Sequence, residues 1–118
     1  MNTPKRPVNS HRAYHAHVYY DQSTLAFATA LLEQIPDKFS LKLGRIWQKP
    51  VGPHPCWSCQ VTFGTKDFDA LVPWLDANRD GLTIFIHAMT GNDWDDHTQY
   101  AYWLGDSVEL DLSMFKHD

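Results

Sequence analysis

The sequence is poor in positive charge and has no long apolar run. Its 10 Lys and Arg, against 14 Asp and Glu, leave a formal net charge of −4, and the basic residues form no cluster, so we expect no nucleic-acid partner. No apolar stretch approaches the roughly 18 residues that a membrane-spanning helix needs, so we expect no membrane association. Residues 1–10 lack the apolar core of a signal peptide, which predicts a cytoplasmic protein.

Several catalytic motifs are also absent. The sequence contains no Gly-rich phosphate loop, no dinucleotide-binding fingerprint and no Ser-nucleophile motif. Cys56 and Cys59 are the two cysteines, and they lack the second pair that a structural zinc site requires. Histidine, present seven times, is the residue type best suited to carry chemistry, because neutral imidazole is the commonest metal ligand in proteins.

The chain of 118 residues has the length of one ordinary domain. Residues 1–11 are polar and contain two prolines, so we expect them to form a flexible N-terminal tail. Residues 12–118 then form a single domain.

The hydrophobic pattern predicts an α+β fold with the element order β-α-β-β-α-β. Strands are expected at 12–20, 39–47, 57–63 and 82–87. One helix is expected from the capping residues Asp21 and Ser23 to about Gln34, where Pro36 ends it, and another at 66–78, capped by Thr65. This order is typical of a ferredoxin-like antiparallel sheet with two helices on one face, and it places the first strand between the third and fourth. The remaining residues would form a C-terminal extension with a short strand at 107–112.

The first predicted strand has two distinct faces. Tyr14, Ala16, Val18 and Tyr20 share one face, which should meet the helices. His15, His17 and Tyr19 share the other. In this topology the second face of the sheet also carries Gln60, Thr62, Thr83, Phe85 and His87.

The stretch "YHAHVYY" therefore places two histidines side by side on one sheet face. Because residues two apart on a strand point the same way, His15 and His17 are close enough to share one ion. Neutral imidazole suits Fe, Zn, Cu or Ni. The alternative is a polar strand face whose histidines are solvated or hydrogen-bonded.

Three more histidines can be brought to this face. His54, in Gly-Pro-His-Pro, should lie nearer His17, and His87, at the end of the fourth strand, nearer His15. His97 follows Asp95 and Asp96, so it is either supported by these carboxylates or follows a capping pair that starts a helix at about His97. His54 is equally consistent with a proline turn that exposes the side chain. Since His54 and His87 should lie near opposite ends of the first strand, all five histidines cannot be ligands of one ion.

The motifs taken together resemble those of a known family. In order and spacing, "YHAHVYYD", "VGPHP", "IHAMTGNDWDDHTQYAYWLG" and the closing "LDL" resemble the DOPA 4,5-dioxygenase family over about residues 11–115. The resemblance implies one DOPA dioxygenase-like domain, commonly paired as a dimer, that opens a catechol such as L-DOPA by extradiol cleavage with O₂ at a non-haem Fe(II). Ala88 is a departure, because many members are expected to have proline there.

The resemblance also implies roles for the five histidines. We assign His15, His17 and His87 as metal ligands and His54 and His97 as the acid/base or substrate-orienting pair, although His54 could exchange roles with His87. No Asp or Glu lies on the predicted histidine face, so a site of three histidines without a carboxylate is expected; Zn and other divalent ions also bind imidazole. The nearest carboxylates are those of Asp93, Asp95 and Asp96. The aromatic residues expected to contact the substrate ring are Tyr19, Trp94 and Trp103.

Two other interpretations of the same residues are open at this point. The chain could be a non-catalytic domain that binds a metal ion or a small ligand as a dimer. It could also be a purely structural domain whose histidine face is buried between subunits.

Overall fold

The computed structural model describes residues 4–115 as an α+β domain built on a four-stranded antiparallel sheet with the strand order β2-β1-β3-β4. The strands are β1 (Ala13–Tyr20), β2 (Trp57–Gly64), β3 (Ile84–Ala88) and β4 (Ala101–Leu104). The helices are α1 (Leu25–Glu33), α2 (Ile35–Phe39), α3 (Thr65–Asn78) and α4 (Asp93–Asp96). Among the described residues, no helix combines the length and the apolar composition needed to cross a membrane.

Strand β1 is central, as predicted. It pairs antiparallel with β2 on one side and with β3 on the other, and the two registers place Ala16 beside Val61 and Ile86. The same registers place His15 directly opposite His87.

One face of the sheet forms the main core, and this also agrees with the sequence pattern. The β1 side chains on this face are buried against the helices. Leu31 and Leu32 of α1 and Leu71 and Leu75 of α3 are buried in the same cluster. Helical spacing of these leucines places an apolar stripe on the sheet, and their burial is the main source of stability. The β1 members of the cluster are Tyr14, Ala16, Val18 and Tyr20.

The first helix ends at Glu33, close to the predicted Gln34, but the prediction that Pro36 ends it is wrong. Pro36 lies in the first turn of α2, where its missing N–H group costs no hydrogen bond, so a second helical segment follows α1 directly. Similarly, Thr65 begins α3 instead of capping it. The carboxylate of Asp67 accepts a hydrogen bond from the N–H of Gly64, the N-cap residue.

The predicted strand at 39–47 is also wrong. Phe39 closes α2, and within the described chain the rest of this segment has one isolated bridge, between Leu43 and Val61. The N–H groups of Gly44 and Trp47 donate to β2 carbonyl oxygens at 2.7 and 3.1 Å, so the segment follows the edge of β2 without forming a ladder.

The C-terminal extension differs most from the prediction. The sheet gains β4 on the far side of β3, whereas residues 107–112 form a loop instead of a strand. Helix α4 ends at Asp96 with His97 as its C-cap residue, so no helix starts at His97, and the side chain of Asn92 caps the other end by accepting from the N–H of Asp95. With one predicted strand missing and another strand added, the ferredoxin-like order is not confirmed.

The predicted N-terminal tail makes contacts with the sheet. The N–H of Trp103 donates to the carbonyl oxygen of Lys5 at 2.8 Å, and the His11 ring lies 3.1 Å from the hydroxyl of Tyr102. The flexibility of the tail stays a prediction. His11 therefore has a structural contact with the sheet, and His117 lies outside the described residues.

Candidate metal centre

Two neighbouring strands bring three histidines together on the face of the sheet away from α1 and α3. His15 and His17 come from β1, and His87 comes from β3. Each can offer one ring nitrogen such that all three nitrogens lie within 4.8 Å of one another. The Nε2 atoms of His17 and His87 are 3.1 Å apart. These three are the residues that the sequence predicted as metal ligands, and the structure places them in one group.

The spacing of these nitrogens suits a shared ion. Two imidazole nitrogens that bind one ion at about 2.1 Å each are separated by roughly 3 Å, as the two Nε2 atoms are here. In the described chain the group contains no carboxylate. A set of three imidazoles fits Fe, Zn, Cu or Ni better than Mg or Ca, and it leaves the identity of the metal open.

The tautomer of His87 is determined by its backbone contact. Its Nδ1 lies 2.8 Å from the carbonyl oxygen of Ala88. A carbonyl oxygen can only accept, so Nδ1 carries the proton and Nε2 has the unprotonated lone pair that a metal ligand needs. Because the acceptor belongs to the backbone, this contact does not depend on which side chain residue 88 carries.

His97 is oriented in the same way by the last turn of α4. Its Nδ1 donates to the carbonyl oxygen of Asp93 at 2.8 Å, and its ring centroid lies 4.3 Å from that of His87. The predicted support by an adjacent carboxylate is not what holds this ring. The Asp96 carboxylate instead accepts from the N–H and the hydroxyl of Thr90, at 2.9 and 2.7 Å.

His54 approaches the group from the loop before β2. As predicted, it lies beside His17, with ring centroids 4.1 Å apart. It is only 7% exposed, so the alternative of an exposed histidine on a proline turn is wrong. Its Nδ1 lies 2.6 Å from the hydroxyl of Tyr19, a buried residue on β1.

Burial keeps the rings of His17, His54 and His87 neutral near pH 7. Desolvation, with a smaller contribution from the neighbouring imidazoles, lowers the pKa of His54 to about 4. Desolvation likewise lowers the pKa of His87 to about 3, and it holds the pKa of His17 well below the usual value. Only a neutral imidazole binds a metal ion, so these histidines need not lose a proton to solvent before an ion binds.

A cavity of about 440 Å³ opens over the histidines. Its wall includes Met89, which directly follows β3, and Met114 and Phe115 from the C-terminal extension. Phe115 stacks on His97, with ring centroids 4.4 Å apart and planes inclined at 28°. The sequence prediction missed these three residues. For Met114 and Phe115 the available signal was a pair of large apolar side chains inside the polar stretch "SMFKHD"; Met89 gave none. All five clustered histidines line the cavity: His15, His17, His54, His87 and His97.

The three aromatic residues expected to contact the substrate ring lie elsewhere. Tyr19 and Trp103 are not part of the cavity wall; with Phe85 they form a small buried cluster on the same face of the sheet, beside the histidines. The rings of Trp103 and Phe85 stack at 4.7 Å. Trp94 lines a neighbouring cavity of about 360 Å³ that shares Phe115 with the first. A role for these residues in substrate binding stays a prediction.

Comparison with known proteins shows which family this chain resembles over most of its length. The model of the Dopa 4,5-dioxygenase family matches residues 14–114. The chain is 36% identical over 116 residues to an uncharacterized 21.2 kDa protein of Botryotinia fuckeliana, with 88% of this chain and 63% of that protein covered. It is 29% identical over 111 residues to the DOPA 4,5-dioxygenase of Amanita muscaria, with 86% and 49% covered. The chain thus spans about half to somewhat under two thirds of the length of these relatives.

A solved structure is similar over nearly the whole chain. The crystal structure of a candidate dioxygenase from Nostoc punctiforme superposes with a TM-score of 0.83 at 40% sequence identity. The match covers 92% of this chain and 94% of the Nostoc chain.

Proposed function

The chain belongs to the Dopa 4,5-dioxygenase family, and on this premise we propose that it is an extradiol dioxygenase that opens a catechol ring with O₂ at a histidine-bound Fe(II). L-DOPA, cleaved at the 4,5 bond, or a related catechol is the proposed substrate. The observation that supports the proposal best is the group formed by His15, His17 and His87, whose ring nitrogens converge in the cavity that also contains His54 and His97.

The three-histidine group is proposed to hold the metal. Bound Fe(II) would supply the open coordination positions at which a catechol and O₂ can meet. His17 and His87 direct their Nε2 atoms toward one point, and His15 completes the group from the neighbouring position on β1. Three neutral imidazoles contribute no negative charge, so the site favours a substrate that binds as an anionic catecholate.

The other two histidines are proposed to move protons. His97 lies beside His87, and His54 lies beside His17, so the pair flanks the group of ligands. A catechol must lose a proton when it binds as an anion, and the product must gain one when the ring opens. The Nε2 lone pair of His97 is suited to accept the first of these protons, because the Nδ1–H of this ring donates to the backbone carbonyl oxygen of Asp93.

The wall of the cavity indicates which catechols fit. Among the described residues that line it there is no Lys or Arg, whereas Asp93 and Asp96 are both present. The Asp96 carboxylate is occupied by Thr90, but Asp93 is exposed at the rim. We therefore propose that the site prefers catechols with a neutral or ammonium-bearing side chain to those with only a carboxylate, and that Met89, Met114 and Phe115 provide apolar contacts.

Assembly and location are proposed on family resemblance and composition. A homodimer is expected from the resemblance, and light scattering coupled to size-exclusion chromatography measures it directly. A cytoplasmic location stays a prediction from the sequence.

The test of function is ring opening by the iron-loaded protein. The protein is purified anaerobically, loaded with Fe(II) and mixed under O₂ with L-DOPA, dopamine, caffeic acid and 4-methylcatechol, and a yellow ring-opened product is followed by absorbance. We expect product from at least one catechol, its loss in His17→Ala, and its retention in the control His11→Gln, since His11 lies outside the cavity.

Two other outcomes would support the competing interpretations. Tight iron binding without product from any catechol would favour a non-catalytic binding domain. A protein that binds no metal at all would contradict every metal-dependent interpretation and leave a structural role for the histidine face.

A further inference from the structure

Tyr19 makes a contact with His54 that the proposed chemistry has not used. Tyr19 follows His17 on the same face of β1, is 3% exposed and packs against Phe85 and Trp103. Its hydroxyl lies 2.6 Å from Nδ1 of His54, 35 residues away in sequence. Within the described chain this is the one hydrogen-bond partner of the Tyr19 hydroxyl.

The direction of this hydrogen bond follows from the two groups. A phenol hydroxyl carries one proton that it must donate when it is buried, and an imidazole nitrogen without a proton is a strong acceptor. If Nδ1 of His54 donated instead, the Tyr19 proton would be buried without an acceptor, which is unfavourable. Tyr19 therefore donates, and the proton of neutral His54 lies on Nε2.

The Nε2 atom of His54 is available to a ligand. Among the described residues, every buried side-chain nitrogen or oxygen has a hydrogen-bond partner. Nε2 of His54 has none, so it is not a buried atom, and the His54 ring lines the cavity. An N–H group is thus presented where a substrate would bind.

His87 and His97 have the opposite arrangement. Their Nδ1 atoms donate to the backbone carbonyl oxygens of Ala88 and Asp93, so their Nε2 atoms are unprotonated acceptors, and that of His87 lies 3.1 Å from Nε2 of His17. The difference lies in the partner, because a carbonyl oxygen can only accept whereas a hydroxyl can donate. One cavity therefore contains both acceptor-type and donor-type histidines.

We propose that Tyr19 is a positioning residue that fixes His54 as an Nε2–H donor, so that His54 gives a proton or a hydrogen bond to the substrate while His97 accepts one. This assignment gives the two members of the acid/base pair different roles: His54 donates and His97 accepts. The kinetic test of the assignment rests on the proposed function.

Nitrogen NMR of the metal-free protein tests the tautomer without any activity. Long-range proton–nitrogen correlation spectra at a pH above 7 distinguish protonated from unprotonated ring nitrogens. We expect Nε2 of His54 and Nδ1 of His97 to be protonated. In Tyr19→Phe, His54 should shift to a mixture of tautomers while His97 is unchanged. The proposal is overturned if His54 carries its proton on Nδ1, or if Tyr19→Phe leaves the His54 signals unchanged.

Tyr20→Phe is the matched control. Tyr20 is the next residue on β1, is also buried, and directs its hydroxyl to the carbonyl oxygens of Trp47 and Ser58 on the opposite face of the sheet. It loses the same hydroxyl from the same strand, and it should leave the His54 tautomer unchanged. An equal change in both variants would indicate a general structural effect and contradict the proposal.

Kinetics of the iron-loaded enzyme give a second readout. We expect Tyr19→Phe to lower kcat by roughly 10- to 100-fold with little change in KM or bound iron, as is usual when a group that orients a functional histidine is removed. In a His54→Gln background the same substitution should cause no further loss, because Tyr19 acts through His54. An undiminished loss in that background would overturn the positioning role. If no variant opens any catechol, the proposed function fails, and the NMR result still decides the tautomer.

Discussion

The two faces of strand β1 differ in what their side chains do: alternate residues pack in the core on one face and line the cavity on the other. Tyr14, Ala16 and Val18 face the helices and are completely buried in an apolar core. His15 and His17 face the cavity, where His17 is nearly as buried but lies among other imidazoles without a counter-charge. The first face gains stability from packing, whereas the second keeps buried polar groups that are costly unless something binds them. Substitutions at neighbouring positions should therefore affect different properties.

The largest effect is expected on the cavity face. His17→Ala should weaken binding of a divalent metal by at least about 100-fold, since even residues that only support a metal ligand cost 10- to 100-fold when changed. Anaerobic calorimetric titration with Fe(II) and with Zn(II) measures this. A change of less than about threefold would show that His17 is not a ligand.

The neighbouring position should behave in the opposite way. Val18→Ala removes two methyl groups from a fully buried site and should lower the free energy of unfolding by about 1–3 kcal/mol. Chemical denaturation measures the loss, and metal stoichiometry should be unchanged. If Val18→Ala also abolished metal binding, the separation of the two faces would be wrong.

The pH dependence of stability should come from the cavity face. Above pH 6.5 His54 is neutral in both the folded and the unfolded chain. Its folded-state pKa is lowered to about 4, so between pH 6.5 and 4 the unfolded chain takes up a proton that the folded chain does not. The metal-free protein should therefore lose stability as the pH falls through this window.

Thermal unfolding of the metal-free protein at pH 7.5 and pH 5 checks this dependence. His54→Gln should reduce the difference between the two melting temperatures. The same difference in the wild type and the variant would mean that burial of His54 does not contribute.

A smaller effect is expected from the charge of the cavity rim. A catechol with an ammonium side chain should exceed its carboxylate analogue in kcat/KM, and Asp93→Asn should narrow this gap by roughly twofold to fivefold, as is usual for an exposed charge pair. Steady-state kinetics with dopamine and 3,4-dihydroxyphenylpropionic acid, which both have saturated side chains, measure both. Lys116 lies outside the described residues, so the effect of its charge is measured separately with Lys116→Ala. If the wild type prefers the carboxylate catechol and Lys116→Ala loses that preference, the proposed selectivity is contradicted.

The two faces of β1 could be predicted from the sequence because alternation is a local signal. Tyr14 to Tyr20 alternate over a whole strand, so the histidine face followed directly, and with it the approach of His15, His17 and His87. The Gly-Pro-His-Pro loop was correctly placed near His17 because it precedes a neighbouring antiparallel strand.

The edges of the sheet could not be predicted in the same way. Val108, Leu110 and Leu112 alternate like a strand, yet the segment forms a loop, and the N–H of Asp111 donates to the carbonyl oxygen of Pro53. The four residues of β4 form an uninterrupted apolar run without alternation. No two-residue periodicity therefore marks them as a strand, although they pair with β3. Edge pairing depends on which segment reaches the neighbouring strand, which is a tertiary property.

The pairing of Tyr19 with His54 was equally hidden from sequence. Alternation placed Tyr19 on the histidine face and suggested contact with a substrate ring. Its hydroxyl instead reaches a loop residue, and that depends on the path of the chain through 48–56, which has no periodicity. The tautomers of His87 and His97 likewise depend on backbone carbonyl groups that no side-chain pattern reveals.

The most direct test of the central claim, that the histidine face opens a catechol with O₂, is mass spectrometry of the product formed under isotopically labelled O₂. The Fe(II)-loaded protein is given a catechol that it turns over, and the product is trapped by rapid reduction before its aldehyde exchanges oxygen with water. We predict a ring-opened product that carries both labelled atoms and is absent in His17→Ala. A product with one or no labelled atom, or the same product from His17→Ala, would contradict the account.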